Sequence, residues 1–120
     1  MFKIRRIFDD VIQCDRDAIA EVQQILRKQF SGLEAKEVDR LGNKLKNPLK
    51  YRFKTVLFVA DDTQGRVRGF ALVQHEPLMH FCYLDYISIS PREAGRGIGA
   101  ALYEQVRDEA LSLQAGGLFF

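Results

Sequence analysis

Three glycines stand at alternate positions where a helix-forming run begins, in the stretch AGRGIGAAL over residues 94–102. Glycine lets the backbone come close to another group, and the first turn of a helix exposes unpaired N–H groups at the positive end of the helix dipole. Gly95, Gly97 and Gly99 therefore predict a site for an anion, most often a phosphate. The alternative is a tight strand-to-helix turn whose glycines only permit close packing, and the glycines alone do not decide between the two.

This turn lies between a predicted strand and the strongest predicted helix. The strand is HFCYLDYISIS over residues 80–90, which Pro91 ends. The helix covers residues 98–113, with Ile98, Leu102 and Val106 on one stripe. GGLFF at residues 116–120 then begins another strand. The glycine-rich turn is thus expected at the C-terminal end of a central strand, where open α/β sheets tend to bind ligands.

The elements before this turn complete the predicted sheet. They are a strand at 2–8 with Phe2, Ile4 and Arg6 alternating, helices at 16–30 and 34–46, and strands at 54–60 and 68–76. Asp15 is the expected cap of the first helix. The order β-α-α-β-β-β-α-β predicts an α/β (α+β) fold in which helices flank a mixed, mostly antiparallel sheet.

Composition limits the partners and the location of the protein. The 120 residues suit one domain, and 47% hydrophobic and 28% charged residues are an ordinary globular balance. A formal charge of +2 with scattered Lys and Arg argues against a nucleic-acid partner. We expect no signal peptide and no membrane partner, because no apolar run is long enough. Cys14 and Cys82 lie far apart without clustered His, which predicts a reduced, cytoplasmic protein with both thiols in the core and no metal site.

Two common phosphate-binding motifs fit the glycines poorly. Gly95, Gly97 and Ala100 satisfy the dinucleotide pattern G-x-G-x-x-G/A, but that pattern requires an acidic residue at the end of a strand about 20 residues later. The final residues AGGLFF contain none, and three strands already precede the turn. A P-loop is excluded as well, since no Lys-Ser or Lys-Thr follows the glycines.

A better match comes from ISISPREAGRGIGAALYEQV, residues 87–106, which resembles the acyl-CoA-binding motif of the GNAT superfamily of N-acetyltransferases. In that family a strand ends in a short apolar run, and Q/R-x-x-G-x-G/A opens a long helix. Gly97 and Gly99 match the two glycines, whereas Ala94 stands where Gln or Arg is usual. The strand order also looks like that family, so the resemblance covers essentially the whole chain and implies a GNAT-like fold.

The resemblance implies a site for acetyl-CoA as co-substrate. Its pyrophosphate would lie against backbone N–H groups of Ala94, Gly95, Arg96, Gly97, Ile98, Gly99 and Ala100. Its pantetheine arm would pair with backbone groups of Ile87, Ser88 and Ile89. An N–H near Ile89 would polarise the thioester carbonyl, and a Cβ at position 97 or 99 would keep the phosphates away.

The reaction implied by the family is transfer of acetyl to a primary amine by direct attack. By period two, Tyr83, Asp85, Ile87 and Ile89 share one face of the strand, and Asp85 is the only acid among them. Apolar surroundings should raise the pKa of Asp85, which makes it the candidate base. Tyr83 is the candidate proton donor to the thiolate. The alternatives are a structural carboxylate for Asp85 and a packing role for Tyr83.

The family pattern also bears on domain organisation. Family members continue after the helix with a strand, another helix and two more strands, whereas this sequence stops at Phe120. We therefore expect residues 1–120 to form a single acyl-CoA-binding domain that is incomplete or is the N-terminal module of a longer chain. Leu118, Phe119 and Phe120 would then be shared in a homodimer. The competing function is a non-catalytic GNAT-like module that binds CoA or a regulatory partner.

Overall fold

The structure is one sheet with helices on both of its faces. The computed structural model describes residues 2–30, 32, 35–47, 53–78, 81–90, 97–112 and 117–119. The strands are β1 (Phe2–Ile7), β2 (Lys54–Asp62), β3 (Val67–Glu76), β4 (Phe81–Ile89) and β5 (Gly117–Phe119). The helices are α1 (Gln13–Gln29), α2 (Ala35–Asp39), α3 (Leu41–Lys46) and α4 (Ile98–Ser112).

The described strands lie in the order β1-β2-β3-β4-β5. β1 to β4 are antiparallel to their neighbours, and β5 is parallel to β4. A parallel pair needs a crossover connection, and α4 supplies it between β4 and β5. The predicted mixed, mostly antiparallel sheet is therefore confirmed.

Both faces of the central strands are covered, which explains why β2 and β3 read as nearly continuous apolar runs. Leu57 and Val59 of β2 pack in the layer beneath α1, α2 and α3. Val56 and Phe58, which alternate with them, pack in the layer beneath α4. The α4 layer contains the predicted stripe of Ile98, Leu102 and Val106.

The first helix begins without the predicted cap. α1 starts at Gln13, its N-cap is Ile12, and no side chain caps it. Asp15 lies inside the first turn, where its carboxylate accepts a hydrogen bond from the Arg5 guanidinium. The prediction that Asp15 caps the helix is therefore wrong, because the carboxylate is used by an ion pair to β1.

The single helix predicted at residues 34–46 is two short helices, so the order gains one helix. Arg40 stands between α2 and α3 with φ −82° and ψ −4°, which interrupts the helical path. Gly42 and Asn43 follow, and both residue types favour helices weakly. Packing is nevertheless as predicted, since Val38, Leu41 and Leu45 are all buried against α1 and the sheet.

Arg5 joins three elements of the fold. Its guanidinium donates to Asp15 of α1 and to Asp61 of β2, while Arg5 itself lies on β1. The three side chains are mostly shielded, with 24%, 16% and 13% of their surfaces exposed. An ion pair at this depth is screened less by solvent than one at the surface. Arg5 therefore fixes α1 against one edge of the sheet.

Replacing Arg5 should show how much this joint contributes. Arg5→Met leaves two shielded carboxylates without their shared cation, so we expect the free energy of unfolding to fall by about 1–3 kcal/mol. Arg27→Met is the matched control, because Arg27 and Asp39 form an ion pair that is 50% and 61% exposed. The control should cost less than about 1 kcal/mol. Urea denaturation measures both, and equal losses would contradict the role given to Arg5.

Candidate active site

A break in the register of β4 lies at Asp85. Val73 of β3 pairs with Leu84, whereas the residue before it in β3, Leu72, pairs with Tyr86. Asp85 is thus the extra residue of a β-bulge. A bulge leaves its extra residue outside the ladder and changes which face the following side chains occupy.

The bulge corrects the predicted face of the strand. Tyr83 is opposite Gln74, and Asp85 lines a cavity with Gln74 on the side of α1 to α3. Ile89 instead packs in the α4 layer, and Ile87 is opposite Ala71 of that same layer. The prediction that Tyr83, Asp85, Ile87 and Ile89 share one face is wrong, because strict period two does not continue through a bulge.

The cavity beside Asp85 has a volume of about 170 Å³. Apolar side chains form much of its wall, and its ionisable lining consists of Asp85 and Tyr86 from β4, Glu37 from α2 and Lys44 from α3. The Lys44 Nζ atom lies 2.8 Å from the Glu37 carboxylate. Two carboxylates and one ammonium group thus line the same space, which gives it a net negative charge when all three are ionised.

The pKa of Asp85 reflects its burial. Removal from water raises the pKa of the Asp85 carboxyl above its ordinary value, while a hydrogen bond from Gln74 and the positive charge of Lys44 act in the opposite direction. Burial and the neighbouring Asp85 carboxylate also raise the pKa of Tyr86. A carboxyl group with a raised pKa beside a cavity is a candidate for proton transfer.

Because the folded protein holds the Asp85 proton more tightly than the unfolded chain, its stability should depend on pH. This contribution is fully present below the ordinary pKa of 3.8 and is lost as the pH rises through the higher folded-state pKa. Asp85→Asn should therefore become more stable relative to the native protein as the pH rises through that window. Denaturation at a series of pH values measures this difference. Asp108→Asn, at an exposed position of α4, is the matched control.

Tyr83 and Tyr86 have different environments. Tyr83 is 41% exposed and lies where β4 pairs with β5, opposite the backbone of Phe119. Tyr86 lines the cavity and makes an edge-on contact with Phe30, with 4.7 Å between ring centroids. The bulge is what places Tyr86, rather than Ile87, on the cavity side.

Sequence reasoning overlooked Thr55, Gln74, Glu37 and Lys44. A signal for the first two was available. Thr55 shares its face of β2 with Leu57 and Val59, and Gln74 shares its face of β3 with Leu72. A polar residue at a core-facing position usually needs a polar partner there. Nothing comparable marks Glu37 and Lys44, which are ordinary charged positions on short helices.

The start of α4 is described only from Gly97 onward. Ala94, Gly95 and Arg96 lie outside the described residues. Ile98 is buried in the core with 1% exposure, so only its backbone can reach a ligand. The first helical hydrogen bond runs from Ala101 N–H to Gly97 C=O. The N–H groups of Ile98, Gly99 and Ala100 belong to the first turn and have no partner within the helix.

Gly97 and Gly99 have different surroundings. Gly97 has φ +85°, a left-handed conformation that favours glycine, and a Cβ there would meet no atom of the described residues within 4 Å. A Cβ at Gly99 would lie 2.7 Å from Cδ1 of Ile89. The predicted reason for both glycines was approach to phosphate. The described residues leave open space at Gly97, whereas Gly99 permits close packing of α4 on β4.

Double substitution separates the two roles. In Gly99→Ala the new Cβ must displace Cδ1 of Ile89, the end of a flexible side chain, so the cost should be small. Ile89→Val removes that methyl group, so the pair should lose less stability than the sum of the single variants. Gly97→Ala should cost about 1–3 kcal/mol through its backbone conformation, and Ile89→Val should not relieve it. Thermal or urea denaturation of the three single and two double variants gives the stability changes. Equal relief in both pairs would contradict this assignment.

Besides the cavity and the start of α4, the candidate site includes the outer edge of β4. β5 pairs with Phe81, Cys82 and Tyr83. Among the described residues, no strand pairs with that edge from Leu84 to Ile89. Ser88 lies here, and its hydroxyl donates to Gln29 at the end of α1 over 2.6 Å. The backbone of Ile87, Ser88 and Ile89 thus lies in a part of β4 without a described outer neighbour.

The two cysteines differ in exposure. Cys82 is buried, whereas Cys14 is exposed, so only one of the two thiols fills the core as predicted. In the part of the chain that the structure describes, no three His, Cys, Asp or Glu side chains group closely enough to hold a metal ion. Among these same residues, no helix combines the length and apolarity needed to span a membrane.

Comparison with known proteins decides the family. Residues 19–120 match the model of the acetyltransferase (GNAT) family. The chain belongs to the GNAT acetyltransferase family. The matched range includes the bulge of β4 and the turn before α4, so the resemblance read from residues 87–106 is confirmed. No curated protein sequence matches this GNAT chain.

Solved structures share the GNAT fold at low sequence identity. Tetrahymena GCN5 is 12% identical, with a TM-score of 0.75 over 94% of this chain and 66% of that chain. AAC(6')-Iy, solved with the bisubstrate analogue CoA-S-monomethyl-acetylneamine, is 15% identical, with a TM-score of 0.73 over 98% and 77%. The ribosomal-protein-alanine N-acetyltransferase of Brucella melitensis is 19% identical, with a TM-score of 0.67 over 99% and 78%. This chain therefore spans just under two thirds of the GCN5 structure, and it spans 38% of nourseothricin acetyltransferase.

Proposed function

We propose that the protein transfers the acetyl group of acetyl-CoA to a primary amine by direct attack. The observation that carries this proposal is the position of Asp85, whose carboxyl group has a raised pKa and lines a cavity on the strand whose outer edge would accept the donor. Membership of the GNAT acetyltransferase family supports the reaction class.

The residues of the α4 turn fit a pyrophosphate. Among the described residues nothing fills the space beside Gly97, and the N–H groups of the first helical turn have no partner within the helix, which favours a close anion. We propose Gly97, Ile98, Gly99 and Ala100 as phosphate-binding through their backbone, together with Ala94, Gly95 and Arg96, which precede them in the sequence. Two GNAT neighbours were solved with related ligands, namely Tetrahymena GCN5 with coenzyme A and AAC(6')-Iy with a CoA bisubstrate analogue.

The backbone of Ile87, Ser88 and Ile89 is the proposed contact of the pantetheine arm, because this part of β4 has no described outer strand. Acetyl-CoA, when bound, supplies an acyl group activated as a thioester. A backbone N–H near Ile89 is the proposed donor to the thioester carbonyl. Ser88 uses its side chain on Gln29, which leaves its backbone as the group available for the arm.

Asp85 is the proposed general base. Its carboxylate accepts one proton from the amine, directly or through water, so that the nitrogen lone pair is free to attack. The negative charge of Asp85 and Glu37 favours an acceptor that arrives as an ammonium ion, and Lys44 partly offsets that charge. Tyr83 is the proposed proton donor to the departing thiolate, and its 41% exposure leaves it open to a ligand.

We propose that residues 1–120 act as one acyl-CoA-binding domain. The sequence predicts a homodimer in the cytoplasm. It also predicts that the protein binds neither nucleic acid nor a membrane. Sedimentation at low micromolar concentration measures the oligomeric state.

Asp85→Asn tests the proposed chemistry. Loss of a general base typically lowers turnover by about 100- to 10,000-fold, whereas affinity for acetyl-CoA should not change because the carboxylate faces the amine. Steady-state kinetics and calorimetric titration with acetyl-CoA measure the two quantities. Asp108→Asn, exposed on α4, is the matched control and should retain turnover.

Two outcomes would overturn the proposal. Native turnover in Asp85→Asn would return this residue to a structural role. Tight binding of acetyl-CoA by a native protein that acetylates no amine would instead indicate a non-catalytic CoA-binding module.

A further inference from the structure

A chain of polar side chains crosses the sheet toward Asp85. The Thr55 hydroxyl of β2 donates to the Gln74 carbonyl oxygen of β3 over 3.0 Å. The Gln74 amide nitrogen in turn donates to the Asp85 carboxylate over 3.4 Å. Thr55 and Gln74 are direct cross-strand partners, and all three residues line the same cavity.

When Asp85 is ionised, the rules for hydrogen-bond donors and acceptors allow only one direction for the hydrogen bonds that link Thr55, Gln74 and Asp85. A carboxylate only accepts hydrogen bonds, so Gln74 must present its NH₂ group to Asp85. Its carbonyl oxygen then faces Thr55, whose hydroxyl must donate. If the amide were reversed, its carbonyl oxygen would face the carboxylate, which would favour the protonated form of Asp85.

We propose that Gln74 is a positioning residue for Asp85, and that Thr55 fixes the Gln74 amide in the orientation that suits the ionised carboxylate. The catalytic part of this inference rests on the proposed role of Asp85 as base. Thr55 is buried with 4% exposure, so its hydroxyl has little access to water as an alternative acceptor. Gln74 occupies one carboxylate oxygen, Oδ2, and leaves Oδ1 for the amine.

The surroundings of Asp85 act on its pKa in opposite directions. Burial raises the pKa of Asp85, and the hydrogen bond from Gln74 opposes it. The titratable groups that line the cavity with Asp85 are Glu37 on α2, Lys44 on α3 and Tyr86 on β4. Lys44 is already paired with Glu37 at 2.8 Å, so its charge is shared between the two carboxylates. From β2 and β3, the polar residues that line this cavity are Thr55 and Gln74.

Thr55→Val and Thr55→Ser separate the hydroxyl from the shape of the side chain. Valine keeps the branched shape and loses the donor, whereas serine keeps the donor. With valine the Gln74 amide is free to reverse, so the pKa of Asp85 should rise, and serine should restore it. Gln74→Leu removes the hydrogen bond itself and should move the pKa in the same direction. NMR titration of the side-chain carboxyl carbons of the full protein, assigned with Asp85→Asn, measures the shift.

Activity gives the second readout. At a pH below the Asp85 midpoint, kcat/KM of Thr55→Val should be about two- to tenfold lower than that of Thr55→Ser, the range expected for one hydrogen bond. Well above the midpoint the two variants should converge, since Asp85 is then ionised in both. A purely structural role for Thr55 would lower kcat/KM equally at every pH.

The two readouts keep the two proposals apart. An unchanged Asp85 titration in both Thr55→Val and Gln74→Leu would overturn the positioning role. A shifted titration with an unchanged acid limb of kcat/KM would support the positioning role and overturn Asp85 as the base. A matching shift of both supports the two proposals together.

Discussion

β4 has one more residue than β3 between the pairs Val73–Leu84 and Leu72–Tyr86, and the arrangement of the site depends on this bulge. Before the bulge, Cys82 and Leu84 pack beneath α4; after it, Ile89 does so, while Tyr86 packs on the side of α1. Asp85 and Tyr86, although consecutive, therefore both line the cavity. Without the extra residue, regular alternation would place Tyr86 beneath α4.

The carboxylate at this position costs free energy, and its surroundings limit that cost. A partly buried acid is stable only if polar groups replace the water it has lost. Gln74 and Lys44 supply a hydrogen bond and a positive charge, although not enough to return the pKa of Asp85 to its ordinary value. Such an uncompensated pKa shift is common at functional sites, where an ionisable group is held in an environment that does not stabilise its charge fully. Arg5, by contrast, forms ion pairs with residues of α1 and β2. These ion pairs hold elements of the fold together and do not line the cavity.

The sequence predicted the elements well because their patterns are local. The stripe of α4 reflects burial of one helix face, and the apolar runs of β2 and β3 reflect burial of both strand faces. The structure has these elements within a few residues of the predicted bounds. Predictions that depended on competition between partners were wrong. Asp15 is a good capping residue, but Arg5 from another element uses its carboxylate. The helix at 34–46 has a continuous apolar stripe, yet Arg40 interrupts it. The bulge at Asp85 left no local pattern, since only the register of β3 against β4 defines it.

The close contact of Gly99 with Ile89 has a geometric consequence for β4. It seats the first turn of α4 directly on the last residue of the strand, and Asp85 lies four residues earlier on that strand. At roughly 3.3 Å per residue, the two points are about 13 Å apart along an extended backbone. The length of this part of β4 therefore sets the distance between the start of α4 and the Asp85 carboxylate. Adding or deleting one residue within it would change the length by roughly 3.3 Å and turn every later side chain to the opposite face, so this segment tolerates substitution far better than a change of length.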